Sequence, residues 1–302
     1  MNNKNKLLIT GASGFLGRVA CSYFARDGWE VYGVAYQQRL GIDGITTLSC
    51  DLTDPAECKA LFERVSPGAV LHLAAMSKPD ACEQNPQESQ RINVDASARL
   101  ASLCADYQAK LVFTSTDLVF SGDKAPYQED DPVEPINRYG EQKVRAEEVI
   151  SWLYPDATIA RMPLMFGPGV PGKPSFTEQL LASLQQRKTM RLFTDEYRTV
   201  VNAETAVQGL KLALDQPGAT LHLGGKERWS RYAFGQLMAE LVGLDADVFQ
   251  PVKLADIQTA AHRPADACMS SERAFALGYS PASVRCQLKT VLDGLGGPGA
   301  NR

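Results

Sequence analysis

The chain has 302 residues, 44% of them hydrophobic and 22% charged, which is enough to bury a sizeable core and excludes a disordered polypeptide. The formal net charge of -4 leaves no broad basic field to hold a nucleic-acid backbone, and Arg228 with Arg231 reads as a solvated helix end. The first apolar run, Leu7-Leu8-Ile9, is too short for a signal sequence or a membrane span. Seven cysteines at irregular spacing, with no C-x-x-C pair and three scattered histidines, point to free thiols, no metal site and a reducing compartment, the cytoplasm.

In chain order, Leu7–Thr10 reads as a strand and Phe15–Arg26 as a helix. Strands follow at Glu30–Ala35 and Thr46–Ser49, then a helix at 55–64 and a buried strand at 69–73. One long helical stretch runs from about Pro86 to Tyr107, followed by an apolar strand over 110–115. A helix from about Tyr139 to Leu153 leads into a strand at Thr158–Met162. This alternation predicts an α/β fold with a doubly wound parallel sheet covered by helices on both faces. The Gly/Pro-rich segment 167–174 marks a crossing between domains. Residues 1–165 are therefore expected to form a dinucleotide-binding domain, to which the chain returns around 195–216. Residues 166–302 are expected to form mainly a smaller, mixed α/β substrate region, with helices near 176–186, 203–215 and 232–242.

Gly11-Ala12-Ser13-Gly14-Phe15-Leu16-Gly17 joins the first strand to the first helix. In such a turn the first glycine permits a tight bend, the second lets backbone approach a pyrophosphate, and the third lets helix pack on sheet. The helix N-terminus then offers free N–H groups to the phosphates. A carboxylate for the ribose hydroxyls is missing at the end of the second strand, which reads Ala35-Tyr36-Gln37-Gln38-Arg39. Arg39, and less directly Arg18, could face a 2′-phosphate instead, so NADP(H) is expected, with NAD(H) compatible. Both arginines are equally explained as solvated surface residues.

Tyr139 and Lys143 stand at i and i+4 on one helix face, in the only Y-x-x-x-K of the chain. A nearby ammonium would stabilise a phenolate and draw the phenol towards neutrality, where a general acid works best. The strand over 110–115 ends in Ser115-Thr116-Asp117, at the carboxyl edge where parallel sheets bind ligands. There the Thr116 hydroxyl could hold a carbonyl oxygen while Tyr139 gives it a proton, or it could simply cap local backbone.

These motifs, with Cys50-Asp51-Leu52, His72-Leu73-Ala74-Ala75, Asn93-Val94, Ser115 to Phe120, Pro126 to Asp130, Arg161-Met162-Pro163 and Arg263-Pro264, resemble the extended short-chain dehydrogenase/reductase family, and within it the dTDP-4-dehydrorhamnose reductase group. The resemblance covers about residues 6–280. It implies that Gly11, Ser13, Gly14, Phe15, Leu16 and Gly17 meet the pyrophosphate, with Asp51 and Leu52 by the adenine. It implies Ala74, Ala75, Met76, Asn93 and Pro163 along the ribose and nicotinamide, with Tyr139 and Lys143 touching the cofactor as well. Thr116, Tyr139 and Lys143 match its catalytic triad, and Met76, Thr116, Val119 and Arg263 its contacts to a nucleotide-sugar. Arg198 and Asn202 fall where the chain returns to the first domain. A homodimer is compatible with this family. Sugar-nucleotide dehydratases characteristically carry Asp-Glu after the Thr, whereas here Asp117 is followed by Leu118. A 4-epimerase reuses the same triad. The regulatory subunit of methionine adenosyltransferase is similar over the same region and would bind NADP without turnover.

Overall fold

The computed structural model describes residues 5–36 and 41–296. Its strands are β1 (Lys6–Thr10), β2 (Glu30–Ala35), β3 (Thr46–Ser49), β4 (Ala69–His72), β5 (Lys110–Thr116), β6 (Thr158–Met162) and β7 (Met165–Phe166), then β8 (Met190–Phe193), β9 (Tyr197–Arg198), β10 (Val201–Asn202), β11 (Thr220–His222), β12 (Trp229–Ser230) and β13 (Phe249–Val252). The α-helices are α1 (Phe15–Arg26), α2 (Pro55–Val65), α3 (Pro79–Gln84), α4 (Pro86–Gln90), α5 (Ala96–Tyr107), α6 (Arg138–Leu153), α7 (Phe176–Gln185), α8 (Ala203–Ala213), α9 (Arg231–Val242), α10 (Glu272–Ala276) and α11 (Val284–Gly294).

Seven strands form one parallel sheet in the order β11-β6-β5-β4-β1-β2-β3. This is the expected Rossmann-type sheet. Strand order reverses between β1 and β4, which opens a crevice beyond their carboxyl ends. The central strands β4 and β6 are buried at every residue, because helices cover both faces. One core joins β1 to α1 and α8 through Leu7, Ile9, Ala20, Phe24, Val207 and Leu210. The other face packs Leu8, Val70, Leu111 and Phe113 against α2, α5 and α6. The seventh strand, β11, comes from far along the chain, and α8 returns to lie on α1. A third core, with Leu180, Leu192, Phe234, Met238 and Leu288, belongs to the C-terminal half.

The long helix expected over 86–107 is interrupted. Between α4 and α5 the backbone takes a π-helical turn over Arg91–Asp95, and this extra residue per turn re-aims Asn93 inward. Helical periodicity continues through such a bulge, so the sequence pattern carries no mark of it.

Candidate active site

The carboxyl ends of β1, β4, β5 and β6 open into one cleft of about 900 Å³. At one end is the glycine turn. Gly11 has φ +67, and a Cβ there would lie 2.7 Å from the Ala74 backbone nitrogen. A Cβ on Gly17 would lie 2.1 Å from the Gly11 carbonyl oxygen, so helix and turn close only over hydrogen. The N-cap of α1 is Gly14, with no side-chain cap and no acid in the first turn. The N–H groups and positive dipole end of α1 therefore face the cleft unneutralised, a fit for a pyrophosphate. Gly11, Ser13, Gly14, Phe15, Leu16, Gly17, Asp51, Leu52, Ala74, Ala75 and Pro163 all line this cleft. Arg39 lies outside the described residues.

A buried hydrogen-bond chain holds the floor. Ser97 donates to the Asn93 carbonyl at 2.8 Å, so its oxygen accepts from His72 Nε2 at 2.9 Å. His72 Nδ1 then accepts from Thr10 at 2.7 Å, and Thr10 Oγ1 accepts the Leu73 and Ala74 amides. Burial pushes His72 down to about 3, so the ring stays neutral and the tautomer is set by its partners. Asn93 accepts from the Met76 amide at 2.8 Å and donates to the Met76 carbonyl and to Gln142. Asn93 is 1% exposed and Met76 half-buried, and neither lines the cleft. Asn93, expected as a ligand contact, instead clamps the loop that carries Ala74 and Ala75 to α6, through the Met76 backbone.

At the other end are Thr116, Tyr139 and Lys143, all lining the cleft and all nearly inaccessible. They meet because α6 sits hard on the turn after β5. A Cβ on Gly140 would lie 2.2 Å from the Leu118 carbonyl oxygen. Asn137 caps α6 by accepting from the Gly140 amide. Tyr139 and Thr116 line the same end of the cleft. The expected lowering of the phenol by Lys143 is absent. Burial and then the Asp117 charge push Tyr139 upward, with Thr116 opposing them. Lys143 is itself pushed down to about 7 by burial, against the pull of Glu147, and its Nζ lies 3.9 Å from the centre of the Phe113 ring. A half-neutral ammonium held over a ring face is a poor stabiliser of phenolate.

Val119 is not where it was expected. The 3-10 turn at Asp117–Val119 sends Leu118 to the cleft and Val119 into a core with Phe120, Tyr127 and Met269. The substrate end also holds Glu196, which the sequence reading passed over, beside Arg263, which was expected there and lines the cleft. Arg198 forms an ion pair with Asp117 at 3.2 Å, without hydrogen-bond alignment, and donates to Glu196 at 3.4 Å. Arg231 pairs with Glu196, and Arg263 reaches Glu196 at 3.6 Å and Asp80 at 4.0 Å. Burial alone would raise Glu196, but Arg231 and Arg198 hold its carboxyl below the ordinary range. Arg231 is thus no solvated helix end: it opens α9 inside the cleft. Arg228 packs on the Tyr197 ring and pairs with Asp266. The signal for Glu196 and Arg198 in the sequence was charge among apolar residues in the return segment.

Residues 5–296 match the family described as RmlD substrate binding domain. The chain belongs to that family. A probable low-salt glycan biosynthesis reductase, Agl14, from Haloferax volcanii is 29% identical over 86% of this chain and 88% of its own. The methionine adenosyltransferase 2 subunit beta of Danio rerio is 27% identical over 92% of this chain and 87% of its own. A solved structure of a hypothetical dTDP-4-dehydrorhamnose reductase from Sulfolobus tokodaii superposes with a TM-score of 0.79 at 28% identity, covering 90% and 94% of the two chains. Among the described residues, no helix of this RmlD-family chain is long and apolar enough to cross a membrane.

Proposed function

We propose that this RmlD-family chain is an NAD(P)H-dependent reductase of a nucleotide-linked 4-ketosugar, of the dTDP-4-dehydrorhamnose reductase kind. The observation that carries the reading is the joining, in one cleft, of an open helix N-terminus behind a glycine turn with Thr116, Tyr139 and Lys143. Gly11 to Gly17, Asp51, Leu52, Ala74, Ala75 and Pro163 would hold the dinucleotide, which supplies a hydride to the carbonyl carbon when bound. Tyr139 then gives its phenolic proton to the carbonyl oxygen, and burial that keeps the phenol protonated suits it to act as the acid. Lys143, held over the Phe113 ring, would hold the cofactor ribose, as the resemblance implies, rather than lower the phenol. Residues 1–165, with the return through α8 and β11, form the cofactor part, and the arginine cluster from the remainder faces the phosphates of the substrate.

Leu118, which takes the cleft position after Asp117, leaves no paired acid of the dehydratase kind there. The likeness to the Danio rerio subunit supports a second reading, an NADP-binding regulatory subunit. An assay of NADPH consumption with a nucleotide-linked 4-ketosugar separates the two. Turnover by the wild type that is lost in Tyr139→Phe supports the reductase. NADP binding without turnover, together with capture of a methionine adenosyltransferase catalytic subunit, overturns it.

A further inference from the structure

Asp117 has no place in the proton transfer just described, yet it is buried and shares a hydrogen bond with the central hydroxyl of the site. Thr116 Oγ1 donates to Asp117 Oδ1 at 3.1 Å and accepts the Leu118 amide at 3.2 Å. A hydroxyl has one proton and two lone pairs. With Asp117 ionised, the Thr116 proton is committed to the carboxylate. Its oxygen already accepts the Leu118 amide, so Thr116 then has no proton to donate to a ketone oxygen. With Asp117 protonated, the carboxyl O–H donates to Thr116 Oγ1 instead. The Thr116 proton is then released towards the cleft.

We propose that Asp117 is a positioning residue that sets the donor direction of the Thr116 hydroxyl, its protonated form freeing Thr116 to donate to the substrate oxygen. The inference rests on the reductase reading for its kinetic consequence, but not for the hydrogen-bond reversal itself. The balance at Asp117 is set by its surroundings. Arg198 on β9 lies 3.2 Å from Oδ2, Glu196 and Arg231 stand behind it, and Tyr139 on α6 faces the same turn. Burial raises the Asp117 carboxyl above the usual range, and Arg198 partly offsets this. Protonation therefore comes at a higher pH than for a solvated aspartate.

Two measurements test the proposal. Carbon-13 NMR on the wild-type protein follows the Asp117 carboxyl and the Thr116 methyl through a pH titration. The Thr116 shift is expected to follow the Asp117 titration, and a Thr116 shift that ignores it overturns the proposal. In kinetics, wild-type kcat is expected to fall about tenfold per pH unit above the Asp117 titration, as for a single ionisation. In Asp117→Asn, whose amide N–H donates to Thr116 at every pH, kcat should change less than about twofold over the same range. A variant profile with the wild-type fall at the same pH overturns the proposal. If the wild type turns over no ketosugar, the reductase reading fails, and the NMR titration decides the role of Asp117 alone. If Asp117→Asn does not fold, the wild-type titration again decides.

Discussion

The two ends of the cleft are built by opposite means. The cofactor end is mostly backbone: a glycine turn, the uncapped start of α1 and main-chain amides fixed by His72 and Thr10. Its centre is the contiguous run Gly11–Gly17, and its charge is the partial charge of a helix end. The substrate end is made of side chains. Asp117, the Glu196–Arg198 segment, Arg231 and Arg263 arrive from separate parts of the chain and meet as an ionic cluster that is buried at Asp117, Glu196 and Arg198 and half-buried at Arg231 and Arg263. A backbone site tolerates change until something fills its space. A buried charge cluster fails when one member is lost, because the others are left unpaired in a low dielectric.

The largest effect should come where the two ends meet. Tyr139→Phe keeps the ring and deletes the proton, and kcat for a nucleotide-linked ketosugar should fall by roughly 10²–10⁴, with dinucleotide affinity nearly unchanged. Wild-type turnover in that variant would remove the assigned acid. Glu196→Ala strips the shared partner from three arginines and should cost about 3–5 kcal/mol in stability. Denaturant unfolding checks this, and a loss below about 1 kcal/mol would show the cluster to be solvated and the contrast between the ends overdrawn.

Lys143 lies between the two regimes. Its folded pKa of about 7 is below its ordinary 10.5, so from pH 7 to 10.5 the unfolded chain carries a proton that the folded one lacks. Stability from this group therefore rises with pH across that window, and the penalty is complete below pH 7. Lys143→Met should raise the unfolding temperature at pH 6–7 by about 5 °C or more, a gain that shrinks towards pH 10, while kcat falls and dinucleotide binding weakens. Calorimetry across pH checks the sign, and a destabilised variant at pH 6 contradicts it.

The backbone end is tested by filling it. Gly14→Val should weaken dinucleotide binding at least about tenfold, near 1.4 kcal/mol, with the fold retained. Equal affinities by titration would take the pyrophosphate away from the turn. The smallest expected change is in Arg39→Ala. Its preference for NADPH over NADH, measured as the ratio of kcat/KM values, should shrink by less than about tenfold. A wild type that prefers NADH, with no change in the variant, would assign NAD(H) as the cofactor.

Sheet, first helix and glycine turn were legible because each depends on residues adjacent in the chain. Short continuous apolar runs, a 3.6-residue stripe and glycine spacing are local patterns. Thr116, Tyr139 and Lys143 could be named for the same reason, two of them being one helical turn apart. What lay beyond the sequence was whatever depends on how elements dock. The π-helical turn that moves Asn93 from ligand contact to loop clamp preserves the apolar pattern on either side. Leu118 rather than Val119 faces the cleft because of a three-residue 3-10 turn, shorter than any period. Arg231 is surface-like by composition, and its place in the cleft, paired with Glu196 from the segment before β9, depends on how α9 docks. The protonation of Tyr139 and Lys143 was decided in the same way. Spacing brings the two together, but burial, which no spacing encodes, raises one and lowers the other.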